Sequence, residues 1–138
     1  VQDLAESKAV TLTAEIEPGI LVKADQTLMM RIWLNLLTNA VKYGRQQGQI
    51  WLTLKSDGKN AVGTVRDDGI GISAAELPKI WKRFYRVNTA RSSGDDSGTG
   101  LGLAMVKWMV ESHGGTVSAV STLGAGSTFS FTIPLRPS

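Results

Sequence analysis

The chain has 138 residues, the usual size of one domain, and 42% of them are hydrophobic while 20% are charged. This composition excludes an intrinsically disordered chain, and no apolar run approaches the ~20 residues that a transmembrane helix needs. Cysteine is absent and His113 is the only histidine, which excludes disulfides, thiolate or multi-histidine metal sites and most histidine-dependent triads. The net charge of +3 favours an anionic ligand and is too small to indicate nucleic acid.

The first half of the chain predicts strands around one long helix. Asp25 is placed to cap a helix that runs from Gln26 to about Tyr43, where Gly44 ends it. Alternating apolar and polar residues, or short apolar runs beside turn residues, predict strands. Those strands are 10–16, 20–23, 49–55 and 61–66.

The second half predicts two helices on either side of a long polar loop, and then two strands, 116–120 and 127–134. Ser73 opens a short helix that continues to about Arg83, in a capping-box pattern. A Gly- and Ser-rich loop such as 87–99 is typical of a functional segment. The next helix, 100–112, has apolar residues at core spacing. These are Leu101, Ala104, Met105 and Trp108. The element order predicts an α+β, two-layer sandwich with helices on one face of a mixed, mainly antiparallel sheet.

Two amides share one face of the long helix. Asn35 and Asn39 are four residues apart, as are Asn39 and Tyr43, and Lys42 lies three residues after Asn39. Amides in an apolar setting need partners, and an amide carbonyl is a hard oxygen that suits Mg²⁺. The same pattern also fits a helix end whose amides bond to neighbouring backbone.

A second motif, Asp67-Asp68-Gly69-Ile70-Gly71-Ile72, directly follows a predicted strand. Asp67 is an acceptor at a strand end, where it could accept from an exocyclic amine such as N6 of adenine. Gly69 and Gly71 permit a tight turn and close approach of a flat ligand. For this segment taken alone, a plain Asp-Gly turn is the simpler explanation.

Two further segments frame the polar loop. Gly98-Thr99-Gly100-Leu101-Gly102 precedes a helix, where backbone N–H groups and the helix dipole attract anions. It is neither a Rossmann fingerprint nor a Walker A loop. Arg86 follows an aromatic and basic run, and guanidinium matches phosphate oxygens. A solvated basic patch is the alternative, and it explains Lys82 better than Arg86.

Together these segments resemble, in order and spacing, the nucleotide-binding domain of bacterial sensor histidine kinases. That domain belongs to the GHKL superfamily (gyrase, heat-shock chaperone, histidine kinase and MutL). The likeness covers roughly residues 8–135 and implies the Bergerat ATP-binding fold, about five strands covered by three helices, as a single domain over 1–138. The matching boxes are 35–43 (N), 67–71 (G1), 84–86 (F), 98–102 (G2) and 124–129, the final glycine-threonine element.

The resemblance implies a role for each matching position. Asn39 coordinates Mg²⁺ with Asn35 beside it, and Asp67 accepts from adenine N6. The remaining implied contacts fall into two groups. The base-side group is Tyr43, Gly69, Gly71, Ile72 and, through a bridging water shared with Asp67, Thr128. The phosphate-side group is Lys42, Arg86 and the backbone of Gly98, Thr99, Gly100, Leu101 and Gly102, with 87–99 as the ATP lid.

Asn35 separates the kinases of this superfamily from its ATPases. The water-activating members carry a glutamate general base at this position, and an amide cannot take a proton at neutral pH. Water is a poor nucleophile without a base, whereas imidazole is largely neutral and nucleophilic at pH 7. Asn35 therefore favours phosphoryl transfer to a histidine, with Mg²⁺, Lys42 and Arg86 stabilising charge.

Two positions depart from the family pattern. Lys82 stands where many relatives have an acidic residue, so lid docking is expected to differ. His113 lies in a His-Gly-Gly helix end that relatives use structurally, so the chain lacks the phosphoacceptor. We expect it to bind ATP without phosphorylating itself.

The resemblance also implies partners and location. The expected partners are ATP and the dimerisation domain that carries the phosphoacceptor histidine, with a response regulator served indirectly. No nucleic acid and no direct membrane contact are expected. The chain starts at Val1 without a signal-peptide pattern, so we expect a fragment of a longer protein. The resemblance implies a cytoplasmic domain of a homodimeric, membrane-bound sensor, and the fragment, which has no evident dimerising helix, is expected to be a monomer. The alternatives are an ATPase or anti-sigma serine kinase of the same fold, and a degenerate nucleotide-sensing module.

Overall fold

The computed structural model describes residues 10–20, 22, 24–42, 47–82 and 102–135. Two α-helices, one 3-10 helix and five strands lie within them. In chain order they are β1 (Thr11–Ile16), α1 (Gln26–Lys42), β2 (Gln49–Ser56), β3 (Asn60–Asp67), the 3-10 helix (Leu77–Lys79), α2 (Gly102–Ser112), β4 (Thr116–Thr122) and β5 (Gly126–Pro134).

The five strands form one mixed sheet in the order β1-β2-β3-β5-β4. β1 pairs with β2 in parallel, and every other neighbouring pair is antiparallel. The mainly antiparallel sheet is therefore confirmed. The strand expected at 20–23 is present, in the described part, only as an isolated bridge between Val22 and Leu135.

Both helices lie on one face of this sheet. α1 contacts β3, α2 contacts β4 and β5, and the two helices contact each other. Because side chains alternate along a strand, every second residue of β3 and β5 enters the core. The fully buried side chains include Ile32, Leu36, Val65, Val106, Met109, Phe129 and Phe131. The arrangement is the predicted two-layer sandwich.

α1 begins as the sequence predicts. The Asp25 carboxylate accepts the backbone N–H of Leu28 at 3.0 Å, and its carbonyl accepts the N–H of Met29. Asp25 is thus the N-cap, which satisfies an otherwise orphaned donor of the first turn. Ile32, Leu36 and Ala40 then recur at helical spacing and are buried.

The predicted buried face of α2 is wrong. Met105 is 39% exposed and Trp108 is 58% exposed, whereas Val106, Met109 and Val110 are buried. Apolar residues occur nearly all round this helix, so two stripes fit the same 3.6-residue period. Packing against β4 and β5 selects the stripe of Val106, Met109 and Val110.

The short helix expected from Ser73 to about Arg83 is mostly turn. Ser73 does cap it, since its hydroxyl accepts the N–H of Glu76 at 3.3 Å. Regular helix is confined to the 3-10 segment Leu77–Lys79. Pro78 has no N–H to bond back to Ala74, so an α-helix cannot propagate through it. No helix in the described part of the chain is both long and apolar enough to cross a membrane.

Candidate functional site

The central strand β3 ends in a buried carboxylate. Asp67 pairs with Ile50 of β2 on one side and with Ser127 of β5 on the other. Its side chain lies on the helix-covered face and is only 6% exposed. Such a group is costly to bury, so its partners decide its state.

Two backbone donors hold the Asp67 carboxylate. Its Oδ1 accepts the N–H of Gly69 at 2.9 Å, and the backbone N–H of Ser127 acts on it as well. Burial raises the pKa of Asp67 above its ordinary 3.8, and the two N–H groups offset part of that rise while the Asp68 charge adds to it. The carboxylate is therefore a desolvated acceptor that holds its proton more tightly than a free aspartate does.

Asp68 has a different, structural role. Its Oδ1 accepts the N–H of Gln49 at 3.0 Å, and its own N–H donates to the Gln49 carbonyl. These bonds fasten the end of β3 to the start of β2. Of the two adjacent carboxylates in the motif, Asp67 and Asp68, only that of Asp67 lies on the buried, helix-covered side of the sheet.

The loop after β3, residues 68–72, is fixed to the β4–β5 turn by backbone contacts. The Ile70 carbonyl accepts the N–H of Gly124 at 2.7 Å. Gly71 has φ +74°, and a Cβ there would lie 2.2 Å from the Thr122 carbonyl oxygen. The sequence predicts close approach of a ligand to this glycine; in the structure the close neighbour of Gly71 is the β4–β5 hairpin.

Ile72, expected against the base, is 7% exposed and belongs to the hydrophobic core. Its backbone N–H donates to Ser121 Oγ at 2.7 Å. Gly69 is also buried. The structure thus brings Asp67, Gly69, Gly71 and Ile72 into one rigid loop beside β5.

Thr128 does not join this group, which corrects the sequence-based assignment. It pairs with Arg66 on one side and Val120 on the other, on the sheet face that the helices leave open. Ser127 is the hydroxyl residue on the Asp67 side, and it is 7% exposed. The sequence offers adjacent hydroxyls in Gly126-Ser127-Thr128, and only the strand register tells which one faces inward.

On α1, the two amides of the first motif are half-buried on one side of the helix. Asn35 Nδ2 donates to the carbonyl of Gly102 at 3.4 Å. Gly102 is the first residue of α2, so this bond joins α1 to the start of α2. Asn39 lies one helical turn further along.

Several predicted site positions lie outside the described residues. They are Tyr43, Arg86, Gly98, Thr99, Gly100, Leu101 and the 87–99 lid. The backbone of Lys42 closes α1, and its side chain also lies outside the description.

Both ring nitrogens of His113 form hydrogen bonds. Nδ1 bonds to the Met109 carbonyl at 2.7 Å, so it carries the proton, and Nε2 accepts the N–H of Asp25 at 3.0 Å. The ring therefore links the end of α2 to the start of α1. This is the structural role that the sequence predicts.

The donor set suits a magnesium ion held mainly by phosphate. Within the described residues, no cluster of three or more His, Cys, Asp or Glu could hold a metal. Asn39 supplies a hard amide oxygen on a rigid helix, and Mg²⁺ commonly takes one or two protein ligands beside substrate phosphates and water. The residues fit that mode of binding.

Comparison with known proteins agrees with this geometry. Residues 24–137 match the profile of the histidine kinase-, DNA gyrase B- and HSP90-like ATPase family. The circadian input-output histidine kinase CikA of Synechococcus elongatus is 42% identical over 81% of the chain and 15% of its own length. Sensor histidine kinase YclK of Bacillus subtilis is 34% identical over 98% of the chain and 28% of its own length. The chain thus spans less than a third of either relative.

Solved structures match over nearly the whole chain. The mycobacterial sensor histidine kinase MprB aligns with a TM-score of 0.85 and 29% identity, over 99% of this chain and 91% of that one. Full-length ShkA in complex with AMPPNP aligns with a TM-score of 0.82 and 28% identity, over 99% and 28% respectively. CikA, YclK and MprB are named histidine kinases, and the chain belongs to the histidine kinase-, DNA gyrase B- and HSP90-like ATPase family.

Proposed function

We propose that this domain binds Mg-ATP and transfers the γ-phosphoryl group to a histidine on a separate dimerisation domain of its parent sensor kinase. The observation that carries the proposal is the buried Asp67 carboxylate at the end of β3. Asp67 belongs to one of several motifs that follow each other in the family's order. The chain matches the family profile, and a relative is named a sensor histidine kinase. ShkA, a structural match, is described in complex with AMPPNP, an ATP analogue.

Asp67 recognises the base. A charged, desolvated acceptor pairs with the exocyclic amine of adenine, and the carbonyl of guanine offers it no proton. Gly69, Gly71 and Ile72 form the loop behind it, and Tyr43 packs near the base. The loop is anchored to the β4–β5 turn, so the acceptor is held in place before the nucleotide arrives, which lowers the cost of binding.

The phosphates lie toward α1 and the start of α2. Asn39 holds Mg²⁺, which neutralises charge on the phosphate oxygens when it is bound. Lys42 and Arg86 contact the phosphates. The backbone from Gly98 to Gly102 donates N–H groups to them, assisted by the positive end of α2. Asn35, bonded to the Gly102 carbonyl, acts as a positioning residue between these two elements.

The phosphoryl acceptor comes from outside this chain. His113 donates from Nδ1 and accepts at Nε2, so its one ring lone pair, on Nε2, is already used and is not presented to a phosphate. Asn35 cannot act as a general base toward water. The chemistry that remains is in-line attack by an external imidazole, with this domain supplying position and charge stabilisation.

The partners and location follow from that role. The domain works on the dimerisation domain of its parent, which passes the phosphoryl group to a response regulator. We place the domain in the cytoplasm, where ATP is available, as one part of a homodimeric membrane-bound sensor. The chain on its own is a monomer that binds ATP.

The test is phosphotransfer in trans. The chain is incubated with γ-³²P-ATP, Mg²⁺ and the separately made dimerisation domain of the parent kinase. Label is expected on that domain, stable to alkali and labile to acid, as a phosphohistidine is. Asn39→Ala and Asp67→Asn remove the transfer, while Ser118→Ala, on the open sheet face, leaves it unchanged. Steady phosphate release without the dimerisation domain would contradict the proposal and indicate an ATPase.

A further inference from the structure

We propose that Ser121 is a positioning residue that orients the Ser127 hydroxyl as a pure acceptor beside Asp67, and so helps select an amino-purine over an oxo-purine. The inference rests on the proposed function and deepens it, because it names what discriminates the base besides Asp67. Ser121 lies on β4, outside every motif that the sequence singles out.

Ser121 Oγ is the centre of a small hydrogen-bond network. It accepts the N–H of Ile72 at 2.7 Å. It donates to the Gly126 carbonyl, 2.9 Å away. It also lies 2.8 Å from Ser127 Oγ. One hydroxyl thus joins the loop after β3, the start of β5 and the residue paired with Asp67.

Counting protons fixes the direction of the third bond. A serine hydroxyl has one proton and two acceptor lone pairs. The Gly126 carbonyl can only accept, so it takes the single proton of Ser121. The Ile72 N–H can only donate, so it occupies one lone pair. Ser127 must therefore donate its own proton to the remaining lone pair of Ser121.

The Ser127 hydroxyl is left with lone pairs and no free proton. It lies opposite Asp67 in the sheet register and is almost completely buried. Asp67 is also an acceptor. The side chains of Asp67 and Ser127 therefore both need hydrogen-bond donors, either directly from the base or through a bridging water. An exocyclic amine supplies them. A base carbonyl in the same place sets lone pair against lone pair, which is costly where water is excluded.

The network is held by close backbone contacts. A Cβ on Gly126 would lie 2.1 Å from the Asp67 carbonyl oxygen, and one on Gly71 would lie 2.2 Å from that of Thr122. Ser121, Gly126 and the loop after β3 therefore cannot drift apart without breaking several contacts at once. A hydroxyl at Ser121 keeps a defined direction for this reason.

The test compares ATP with inosine triphosphate, which replaces the exocyclic amine by a carbonyl. Calorimetry measures the dissociation constants of both nucleotides for each variant. In Ser121→Ala, the Ser127 hydroxyl is free to rotate and donate. The preference for ATP over inosine triphosphate is expected to fall roughly 3- to 10-fold, the value of one neutral hydrogen bond. Ser121→Thr keeps a hydroxyl and retains the preference.

Two controls separate positioning from folding. Ser118→Ala removes a hydroxyl three residues earlier on β4, on the opposite sheet face, and leaves the preference unchanged. Ser127→Ala lowers the preference by a similar factor, and the double variant Ser121→Ala/Ser127→Ala lowers it no further, because both act through one hydroxyl. In the nucleotide-free protein, amide exchange of Ile72 accelerates in Ser121→Ala and not in Ser118→Ala.

The outcomes are distinct. An equal loss of affinity for both nucleotides in Ser121→Ala, or an unchanged preference in Ser127→Ala, overturns the inference and leaves the proposed function standing. Unchanged Ile72 exchange in Ser121→Ala overturns it without any nucleotide. Failure of the unaltered chain to bind ATP contradicts the proposed function and this inference with it.

Discussion

Asp67 is buried as a carboxylate although burial disfavours its charge. The two backbone N–H groups that reach it offset only part of that cost, since its pKa remains raised. A buried charged group that lowers the stability of the free protein is typical of a binding site. The bound ligand then supplies the hydrogen-bond donor that the protein lacks. Two predictions follow from this single residue.

Asp67→Asn separates binding from stability. The amide keeps the shape and an acceptor for Gly69, but it replaces a charged acceptor by a neutral one and can turn a donor toward the base. ATP affinity is expected to fall roughly 10- to 100-fold, the value of a hydrogen bond to a charged group. The melting temperature of the free protein at pH 7 rises, because no charge is buried. Unchanged affinity by calorimetry would remove Asp67 from the base-binding role.

The same carboxylate predicts how stability depends on pH. Its pKa is raised in the folded protein, so the folded state binds the proton more tightly than the unfolded chain does. As pH rises from below 3.8 through the folded-state pKa, this group takes stability away, and above that pKa the loss is complete. Asp67→Asn lacks this dependence. The stability advantage of Asp67→Asn over the unaltered chain, measured by denaturant titration, should be present at pH 7 and shrink toward pH 4.

At the scale of elements, the loop after β3 and the β4–β5 turn behave as one unit. Gly126 shows this most directly, with φ +117° and its Cα close against the Asp67 backbone. Gly124 is a matched control, because it also has positive φ, +85°, and a Cβ there meets nothing within 4 Å. Gly124→Ala should cost about 1 kcal/mol, the strain of the left-handed backbone.

Gly126→Ala should cost at least about twice that amount, because the added methyl must also push β5 away from β3. ATP affinity should fall with it, since Asp67 and Ser127 are displaced. Denaturant unfolding of both variants checks this. Equal losses for the two glycines would mean that the close approach at Gly126 does not constrain the site.

The two helices are linked end to end through His113. Replacing His113 by Ala removes the proton donor for the Met109 carbonyl and the acceptor for the Asp25 N–H. The expected loss of stability is about 1–3 kcal/mol. Ser112→Ala is the control, because it removes only the bond from Ser112 Oγ to the Met109 carbonyl. Neither change should affect phosphotransfer to an external histidine; loss of transfer in His113→Ala at full nucleotide binding would contradict the structural role.

At the scale of the whole molecule, much of the fold follows from local patterns. The Asp25 cap, the long helix α1 and the strands β2 and β3 are predicted by residues close in sequence, and the structure confirms them. The helix that the sequence predicts from Ser73 is mostly turn, because Pro78 lacks an N–H and this outweighs the capping signal before it. Two apolar stripes of α2 fit the same helical period, so the sequence alone indicates the wrong buried face.

The candidate site also has one part that a short segment of sequence predicts and another part that depends on strand pairing. Asp67 and its glycines could be recognised from one short segment, whereas Ser127 and Ser121 could not. Their importance arises from the pairing of β3 with β5 and of β4 with β5, which joins residues far apart in the chain. The sequence alone indicates Thr128 as the hydroxyl residue beside Asp67, because it does not show the register between β3 and β5. A shift of one residue exchanges the two faces of a strand.

The central claim concerns the whole domain: one nucleotide, bound through Asp67 at its base and through a metal at Asn39. Asn39→Ala should leave metal-free ATP binding largely intact and remove the gain that Mg²⁺ brings. Thr38→Ala, the exposed neighbouring position on α1, should change neither. A Mg²⁺ effect that persists in Asn39→Ala, measured by titration with and without the metal, would refute the metal assignment.

The most direct test is calorimetric titration of the unaltered chain with ATP, with and without Mg²⁺, and with GTP as the control. The account predicts saturable binding of one ATP per chain in the micromolar range, tighter with Mg²⁺, and at least 10-fold weaker binding of GTP. Binding of ATP and GTP with equal affinity, or no binding of ATP at all, would contradict it.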